Sequence, residues 1–160
     1  MFRAFFIFGG NSYLKMKIVS LFLILNLLTL GFDVLGQATV QGKWKTIDDK
    51  TGKTKSIIEI YEDDNMVFGR ILKLFPEPGE DPDPVCDKCS PDDQRFNKKI
   101  IGMIILKNMK RNGDEYSNGS ILDPEDGKVY KCKIWLESND LKIRGYWGPF
   151  WRTQTWKWVS

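Results

Sequence analysis

The chain has 160 residues, of which 42% are hydrophobic and 28% are charged, and it contains no histidine. This length supports one hydrophobic core. The absence of histidine excludes Ser-His-Asp and Cys-His nucleophile systems as well as histidine metal sites. The net charge is +3, and it falls to +1 for residues 37–160, which is too small for sequence-independent binding of nucleic acid, because such binding requires many basic groups on phosphates. No nucleic-acid partner is therefore expected.

The first 36 residues have the pattern of a signal peptide. An apolar run over residues 18–35 follows Lys15 and Lys17, and it ends in Val34-Leu35-Gly36, whose residue sizes suit signal peptidase. We therefore predict a signal peptide over residues 1–36, with cleavage after Gly36. The protein would then be exported to the periplasm or to the outside of the cell.

The same segment predicts where translation begins and whether the chain keeps a membrane anchor. Met16 directly precedes the apolar run and its basic residue, so residues 1–15 are interpreted as an upstream extension that is not translated. A retained anchor is the alternative, because the run is near the lower limit for spanning a bilayer. Asn26 and Thr29 interrupt the run, and no stable membrane span is expected after cleavage.

Residues 37–160 are predicted to form a single domain. Removal of Arg3, Lys15, Lys17 and Asp33 with the leader leaves 21 basic and 20 acidic residues. This part of the chain consists of short apolar runs separated by turn residues, without a helical periodicity. The predicted strands are 40–47, 54–62, 66–75, 100–110, 114–122, 128–136, 140–147 and 151–158.

The turns between these runs predict how the strands are connected. Asn112-Gly113 is typical of a tight hairpin, and the segment 123–127 combines a proline with a glycine. Such short connections require antiparallel neighbours. We therefore predict an all-β fold of about eight antiparallel strands in an up-and-down barrel, with a β-sandwich or a curled open sheet as alternatives. Five predicted strands have an interior glycine that permits the bends of a closed sheet, namely Gly42, Gly69, Gly102, Gly119 and Gly145.

Alternating hydrophobicity in two of the runs predicts which side chains face the interior. In 128–136 the less polar residues occupy the even positions, and in 140–147 they include the odd positions 141 and 143. Alternate residues of a strand point to opposite faces. The residues predicted to face inward are Tyr130, Cys132, Ile134, Leu136, Leu141 and Ile143. Those predicted to face outward are Lys131, Lys133, Lys142 and Arg144.

A long connection over residues 76–99 interrupts the pattern of short turns. It contains five of the seven prolines and the segment Cys86-Asp87-Lys88-Cys89. In an exported protein we predict a Cys86–Cys89 disulfide with Cys132 free and buried, and a bridge from the loop to Cys132 is the alternative.

The chemistry of this connection disfavours redox catalysis and metal binding. Acidic neighbours raise the pKa of a thiol, whereas redox motifs need a lowered one. A zinc site requires four ligands, and the acidic residues lack the central glycine of a calcium loop. We predict no metal site and no cofactor.

The tryptophans concentrate near the carboxyl end. All six lie after residue 37, and four fall within the last fourteen residues. Such side chains complete a core or line a ligand cavity, and a barrel of about eight strands can contain both. The residues predicted to bind a ligand, at cavity or end-cap positions, are Trp44, Tyr130, Trp147, Arg152 and Trp156.

Two resemblances to known families follow from particular motifs. Gly42-Lys43-Trp44 resembles the Gly-x-Trp motif of lipocalins, in which the tryptophan closes one barrel end beneath a basic residue from the last strand. The resemblance implies that Arg152 takes the place of that basic residue.

The second resemblance extends over nearly the whole of residues 37–160. Its motifs are Gly42-Lys43-Trp44, the CDKC loop, Tyr130-Lys131-Cys132-Lys133, Leu141-Lys142-Ile143-Arg144-Gly145-Tyr146 and Arg152-Thr153-Gln154-Thr155-Trp156. Together they resemble a family of small exported bacterial proteins catalogued as a domain of unknown function. This resemblance implies a lipocalin-like barrel, and it implies no activity, substrate or catalytic residue.

The leading functional hypothesis is a non-enzymatic exported protein that binds a small apolar or amphipathic ligand at one end of the barrel. The alternative is a cell-envelope module that binds a protein partner, because Trp135 is predicted to point outward beside basic residues. A hydrolase using the carboxyl groups of Asp123 and Glu125 is a third hypothesis, although both residues lie in one turn. No catalytic residue is predicted.

Overall fold

The computed structural model describes residues 39–159, so the predicted leader lies outside the described residues. Eight strands follow one another along the chain. They are β1 (Gly42–Ile47), β2 (Thr54–Asp63), β3 (Met66–Leu74), β4 (Ile104–Asn112), β5 (Glu115–Asp123), β6 (Lys128–Glu137), β7 (Asp140–Trp147) and β8 (Phe150–Trp158). No helix within residues 39–159 has the length and apolarity needed to cross a membrane.

The strands close into an up-and-down barrel, as predicted. Each strand pairs antiparallel with the next one in the sequence, and β8 pairs with β1 to complete the circle. Two-residue turns enforce this arrangement for β2–β3, β4–β5, β6–β7 and β7–β8, because so short a connection can only join antiparallel neighbours. In the β2–β3 and β6–β7 turns both central residues have positive φ, as type I′ hairpins require; these residues are Asp64, Asn65, Ser138 and Asn139.

The interior is tightly packed at the end where β1 begins, which we call the closed end. Trp44 is 2% exposed, and its indole nitrogen donates a hydrogen bond of 2.8 Å to the carbonyl oxygen of Val40. Other side chains that are almost fully buried include Ile60, Val67, Met109, Ile134 and Leu141. Removal of this apolar surface from water is the main favourable contribution to folding.

The predicted alternation in β6 and β7 is confirmed. Cys132, Ile134, Leu141 and Ile143 are buried, Tyr130 and Leu136 are partly buried, and Lys131 is exposed. The other three residues predicted to face outward, Lys133, Lys142 and Arg144, are partly buried because their long side chains lie along the outer face of the sheet.

The long connection is ordered and is longer than predicted. It occupies the residues between Leu74 and Ile104, whereas the sequence suggested that a strand begins at residue 100. Gly102 has a φ of 89°, a turn conformation that a continuous strand excludes. Its assignment as an interior strand glycine was therefore wrong. The connection has its own backbone bonds, including a bridge between Val85 and Lys99.

Candidate functional site: a cavity at the open end of the barrel

A cavity of about 1240 Å³ lies inside the barrel at the end opposite to Trp44. It opens to solvent where β1 and β7 end and where β2 and β8 begin, which we call the open end. The long connection borders the mouth through Phe75, Pro76 and Val85. The barrel interior therefore has two halves, a packed half at the closed end and a cavity at the open end.

The deep part of the cavity is apolar. The inward-facing side chains that line it include Ile58, Ile71, Ile121, Ile143 and Trp156. Thr46 and Ser56 also line the cavity, and their hydroxyl groups share a hydrogen bond of 2.8 Å. Since each hydroxyl already has a partner, this wall offers a ligand mainly apolar contact.

The mouth of the cavity is lined by paired charges. The guanidinium of Arg152 donates a hydrogen bond to Asp49, and the ammonium of Lys55 forms an ion pair with Glu125. Tyr130 donates its hydroxyl proton to Asp126, and this hydrogen bond raises the pKa of Tyr130 to about 12. The mouth thus contains anchored donors and acceptors above an apolar wall.

Asp123 is the most deeply placed carboxyl group at this mouth. Burial raises its pKa above the ordinary value of 3.8, against the lowering effect of a hydrogen bond from the backbone nitrogen of Glu125. Glu125 itself is exposed and paired with Lys55. The two carboxyl groups belong to one turn, and their use as a hydrolytic pair stays a prediction.

Four of the five residues predicted to bind a ligand line this cavity. Tyr130, Trp147 and Arg152 border its mouth, and Trp156 forms part of its wall. They were predicted from the concentration of aromatic residues in the last strands of a barrel, and their role in binding stays a prediction. The isoleucines of the wall were missed as site residues, although Ile143 was predicted to face inward.

Trp44 is not a cavity residue. It lies at the closed end, where its strand partner is Trp158 and the two rings meet edge to face with centroids 5.0 Å apart. The expected stacking of Arg152 above Trp44 is also wrong. Arg152 lies six residues before Trp158 on β8, about 20 Å away along the strand, and it is bound to Asp49.

The backbone conformation and surroundings of Gly42 explain why a glycine stands two residues before Trp44. Its φ of 131° is unfavourable for other residues, and a Cβ atom there would collide with the indole ring of Trp158. The Gly-x-Trp segment therefore lets two indole rings cover the closed end.

The predicted Cys86–Cys89 disulfide is confirmed. Cys132 is free and buried, and its sulfur lies 3.4 Å from that of Met109. Burial raises the pKa of this thiol to about 12, so it is protonated at neutral pH. Within residues 39–159, no group of three or more cysteine, aspartate or glutamate side chains is arranged to hold a metal ion.

Comparison with known proteins agrees with this architecture. Among solved structures, the barrel is similar to protein HP1028 from Helicobacter pylori, which is described as belonging to the lipocalin family. The TM-score is 0.64 and the sequence identity 22%, over 77% of this chain and 84% of that chain. This likeness shows a lipocalin-like fold. No curated protein matches the chain with significance.

A family model matches residues 42–158, which include all eight strands and the long connection. The chain therefore belongs to the family described as uncharacterised proteins conserved in bacteria, DUF2147.

Proposed function

We propose that this protein is an exported carrier that binds a small apolar or amphipathic ligand in the cavity of its barrel. The observation that supports this proposal most directly is the apolar cavity of about 1240 Å³ with a charged mouth. Ligand sites in proteins usually occupy about 300–1,000 Å³, so this cavity has room for a lipid-sized molecule. The signal-peptide pattern of residues 1–36 supports export.

The distribution of polar groups favours an amphipathic ligand. Within residues 39–159, no buried side-chain nitrogen or oxygen lacks a hydrogen-bond partner. The cavity wall therefore leaves no buried polar side chain for a ligand to satisfy, whereas Arg152 and Tyr130 offer polar atoms at the mouth. An apolar tail would lie against Trp156, and a polar head would remain near the mouth.

A substitution at Gly145 tests this proposal. Gly145 lines the cavity from β7, and a Cβ atom there would meet only the Cβ of Tyr130, at an ordinary distance of 3.7 Å. Gly145→Phe should place a ring in the cavity without disturbing the backbone. Gly145→Ala is the matched control, because a single methyl group leaves most of the volume free.

The measurement is the quenching of tryptophan fluorescence in residues 37–160 by long-chain fatty acids, haem and glycans. We expect an amphiphilic probe to bind the unaltered protein and Gly145→Ala. Gly145→Phe should bind that probe about tenfold or more weakly, a difference of about 1.4 kcal/mol or more, while the melting temperature stays the same. Equal binding by both variants, or no binding of any amphiphile, would contradict the proposal.

A further inference from the structure

The hairpin that joins β7 and β8 presents an exposed aromatic tip at the open end of the barrel. Trp147, Phe150 and Trp151 are 70%, 66% and 63% exposed, and the ring centroids of Trp147 and Phe150 are 6.1 Å apart. All three residues also line the cavity at its mouth. Soluble proteins rarely leave several large aromatic side chains exposed at one place unless that place contacts a ligand, a partner or a membrane. We call these three residues the aromatic tip.

Basic side chains lie beside the aromatic tip. Arg144 places its guanidinium 6.0 Å from the ring centroid of Trp151 and 5.2 Å from that of Trp135. Lys128 and Lys131 are exposed on the neighbouring strand. Lys128 lies 4.0 Å from the carboxylate of Asp126, whereas Lys131 and Arg144 form no ion pair with any residue of 39–159.

A groove beside the aromatic tip adjoins the barrel cavity. Pairing between β6 and β7 begins only at Lys131 and Tyr146, and a groove of about 490 Å³ lies between the unpaired ends of these strands. Lys128 and Lys131 line this groove. Tyr130 and Trp147 line both the groove and the cavity, so the two spaces share a wall.

We propose that the aromatic tip docks onto a membrane surface that contains anionic lipid, with Lys128 and Lys131 facing the lipid phosphates. Tryptophan and phenylalanine favour the boundary between headgroups and acyl chains, where an amphipathic ring is partly wet and partly apolar. Basic residues beside such a surface add about 1 kcal/mol of attraction each. An anionic lipid surface offers apolar contact to the exposed rings and negative charge to Lys128 and Lys131.

The acidic regions elsewhere on the molecule favour an orientation in which the aromatic tip faces the membrane. The long connection joins β3 to β4, so it lies four strands away from the β7–β8 hairpin in a barrel of eight. Its acidic residues, which include Glu77, Glu80 and Asp81, therefore lie across the mouth from the aromatic tip. The β2–β3 turn at the closed end is also acidic, with Glu62, Asp63 and Asp64. Repulsion from anionic lipid would keep both regions away from the membrane. The carboxylates closest to the aromatic tip, Asp49, Glu125 and Asp126, are each paired with a basic side chain.

The experiment is co-sedimentation of residues 37–160 with vesicles of phosphatidylcholine alone or mixed with phosphatidylglycerol. We expect binding to the mixed vesicles that weakens at high salt. The triple variant Trp147→Ser, Phe150→Ser, Trp151→Ser should lose this binding. The double variant Lys128→Glu, Lys131→Glu should weaken it about tenfold or more.

The matched control removes aromatic rings elsewhere on the outer face. Tyr61 and Phe68 stack with centroids 5.8 Å apart near the closed end, and Tyr61→Ser with Phe68→Ser should leave vesicle binding unchanged. Melting temperatures establish that each variant is folded. Bromine-labelled lipid should quench the fluorescence of Trp147 and Trp151 if the rings enter the interface.

Several results would overturn this proposal. One is vesicle binding that survives the triple variant, and another is the absence of binding to mixed vesicles. A dimer that the triple variant abolishes, without vesicle binding, would instead assign the aromatic tip to a second copy of the chain. Docking does not depend on the ligand proposal. Gly145→Phe should still bind vesicles, so the failure of one proposal is distinguishable from the failure of the other.

Discussion

Asp93 in the long connection shows how a single carboxylate can stabilise an irregular segment. Its two oxygens accept hydrogen bonds from the Arg95 side chain, with distances of 2.9 Å to Nε and 2.6 Å to Nη2. Arg95 also donates a bond of 3.2 Å to the carbonyl oxygen of Ile104, at the first residue of β4. The hydrogen bond from Arg95 lowers the pKa of Asp93 from 3.8 to about 2. The pair therefore ties the end of the connection to the barrel.

Replacement of Asp93 by asparagine should destabilise the protein in a pH-dependent way. Because the pKa is lowered in the folded state, the carboxylate contributes stability that is complete above pH 4 and is lost as the pH falls toward 2. We expect Asp93→Asn to lower the free energy of unfolding by about 1–2 kcal/mol at neutral pH. Urea denaturation at several pH values should show this difference shrinking between pH 4 and pH 2. Asp92→Asn, at the exposed neighbour, is the control, and a pH-independent loss for Asp93→Asn would contradict the assignment.

Residue type predicted which side chains are buried, but it did not predict whether a buried side chain packs the closed end or lines the cavity. Trp44 and Trp156 are both 2% exposed, yet Trp44 packs at the closed end and Trp156 lines the cavity. Their positions in the sequence do not distinguish these roles, because the difference depends on how far the packed half extends along the barrel. Arg152 was placed on the correct strand, but its partner Asp49 is 103 residues away in the chain and no local pattern indicates it.

The long connection depends on one glycine of the β5–β6 turn. Gly127 has a φ of 72°, and a Cβ atom there would collide with the backbone carbonyl of Lys88. Lys88 also donates a bond of 2.9 Å from its ammonium to the carbonyl oxygen of Glu125. The disulfide-containing part of the connection therefore packs directly against a turn of the barrel.

Gly127→Ala should break the contact between the β5–β6 turn and the long connection. Strain at positive φ and the collision with Lys88 together should cost about 2–4 kcal/mol. Gly52→Ala is the matched control, because Gly52 has a φ of 71° but no atom close to its Cβ position, so only strain of about 1–2 kcal/mol applies. Urea denaturation measures both costs, and limited proteolysis near Cys89 reports the release of the connection. Equal losses in the two variants would show that the contact with Lys88 adds no stability.

At the scale of elements, strands were predictable wherever alternation and turn residues agreed. The run predicted at 140–147, where alternation was clear, coincides with β7. The run predicted at 54–62 differs from β2 by one residue, although its isoleucines occupy both faces and only the flanking turn residues bounded it. The start of β4 was placed four residues too early. Ile100 and Ile101 look like strand residues, but the backbone there turns so that Gly102 and Met103 bond to Ile71. A tertiary contact thus overrides a local propensity.

At the scale of the molecule, short turns and strand glycines favoured a closed barrel over a β-sandwich or a curled open sheet, but they did not predict a cavity. Turn lengths restrict which strands are neighbours, and the pairing of β1 with β8 closes the sheet. Whether the interior is filled depends on side-chain volumes across strands that are distant in sequence. Gly145 and Ile143 on β7 leave space at the open end, whereas Leu141 on the same strand is fully packed. The inward-facing side of β7 therefore contributes both to the packed half of the interior and to the cavity.

The seam between β1 and β8 is where the closed barrel is held by the fewest backbone pairs. Their register consists of Trp44 with Trp158 and Lys45 with Lys157, extended by a bond of 3.0 Å from the Val159 nitrogen to the Lys43 carbonyl oxygen. The edge-to-face contact of the two indole rings adds side-chain contact across this short seam. Closure of the whole molecule should therefore depend on Trp158 more than its exposure suggests.

Two substitutions on β8 distinguish the stability that the indole pair adds to barrel closure from the general effect of removing an aromatic side chain. Trp158 is 50% exposed and Trp151 is 63% exposed, so burial alone predicts similar small effects. We expect Trp158→Ala to lower the free energy of unfolding by about 2–3 kcal/mol, because it also uncovers Trp44 and Gly42. Trp151→Ala should cost less than about 1 kcal/mol. Urea denaturation gives both values, and hydrogen exchange should show faster opening of β1 amides in Trp158→Ala alone. If the two variants lose equal stability, the seam is held by its backbone bonds and not by the paired indoles.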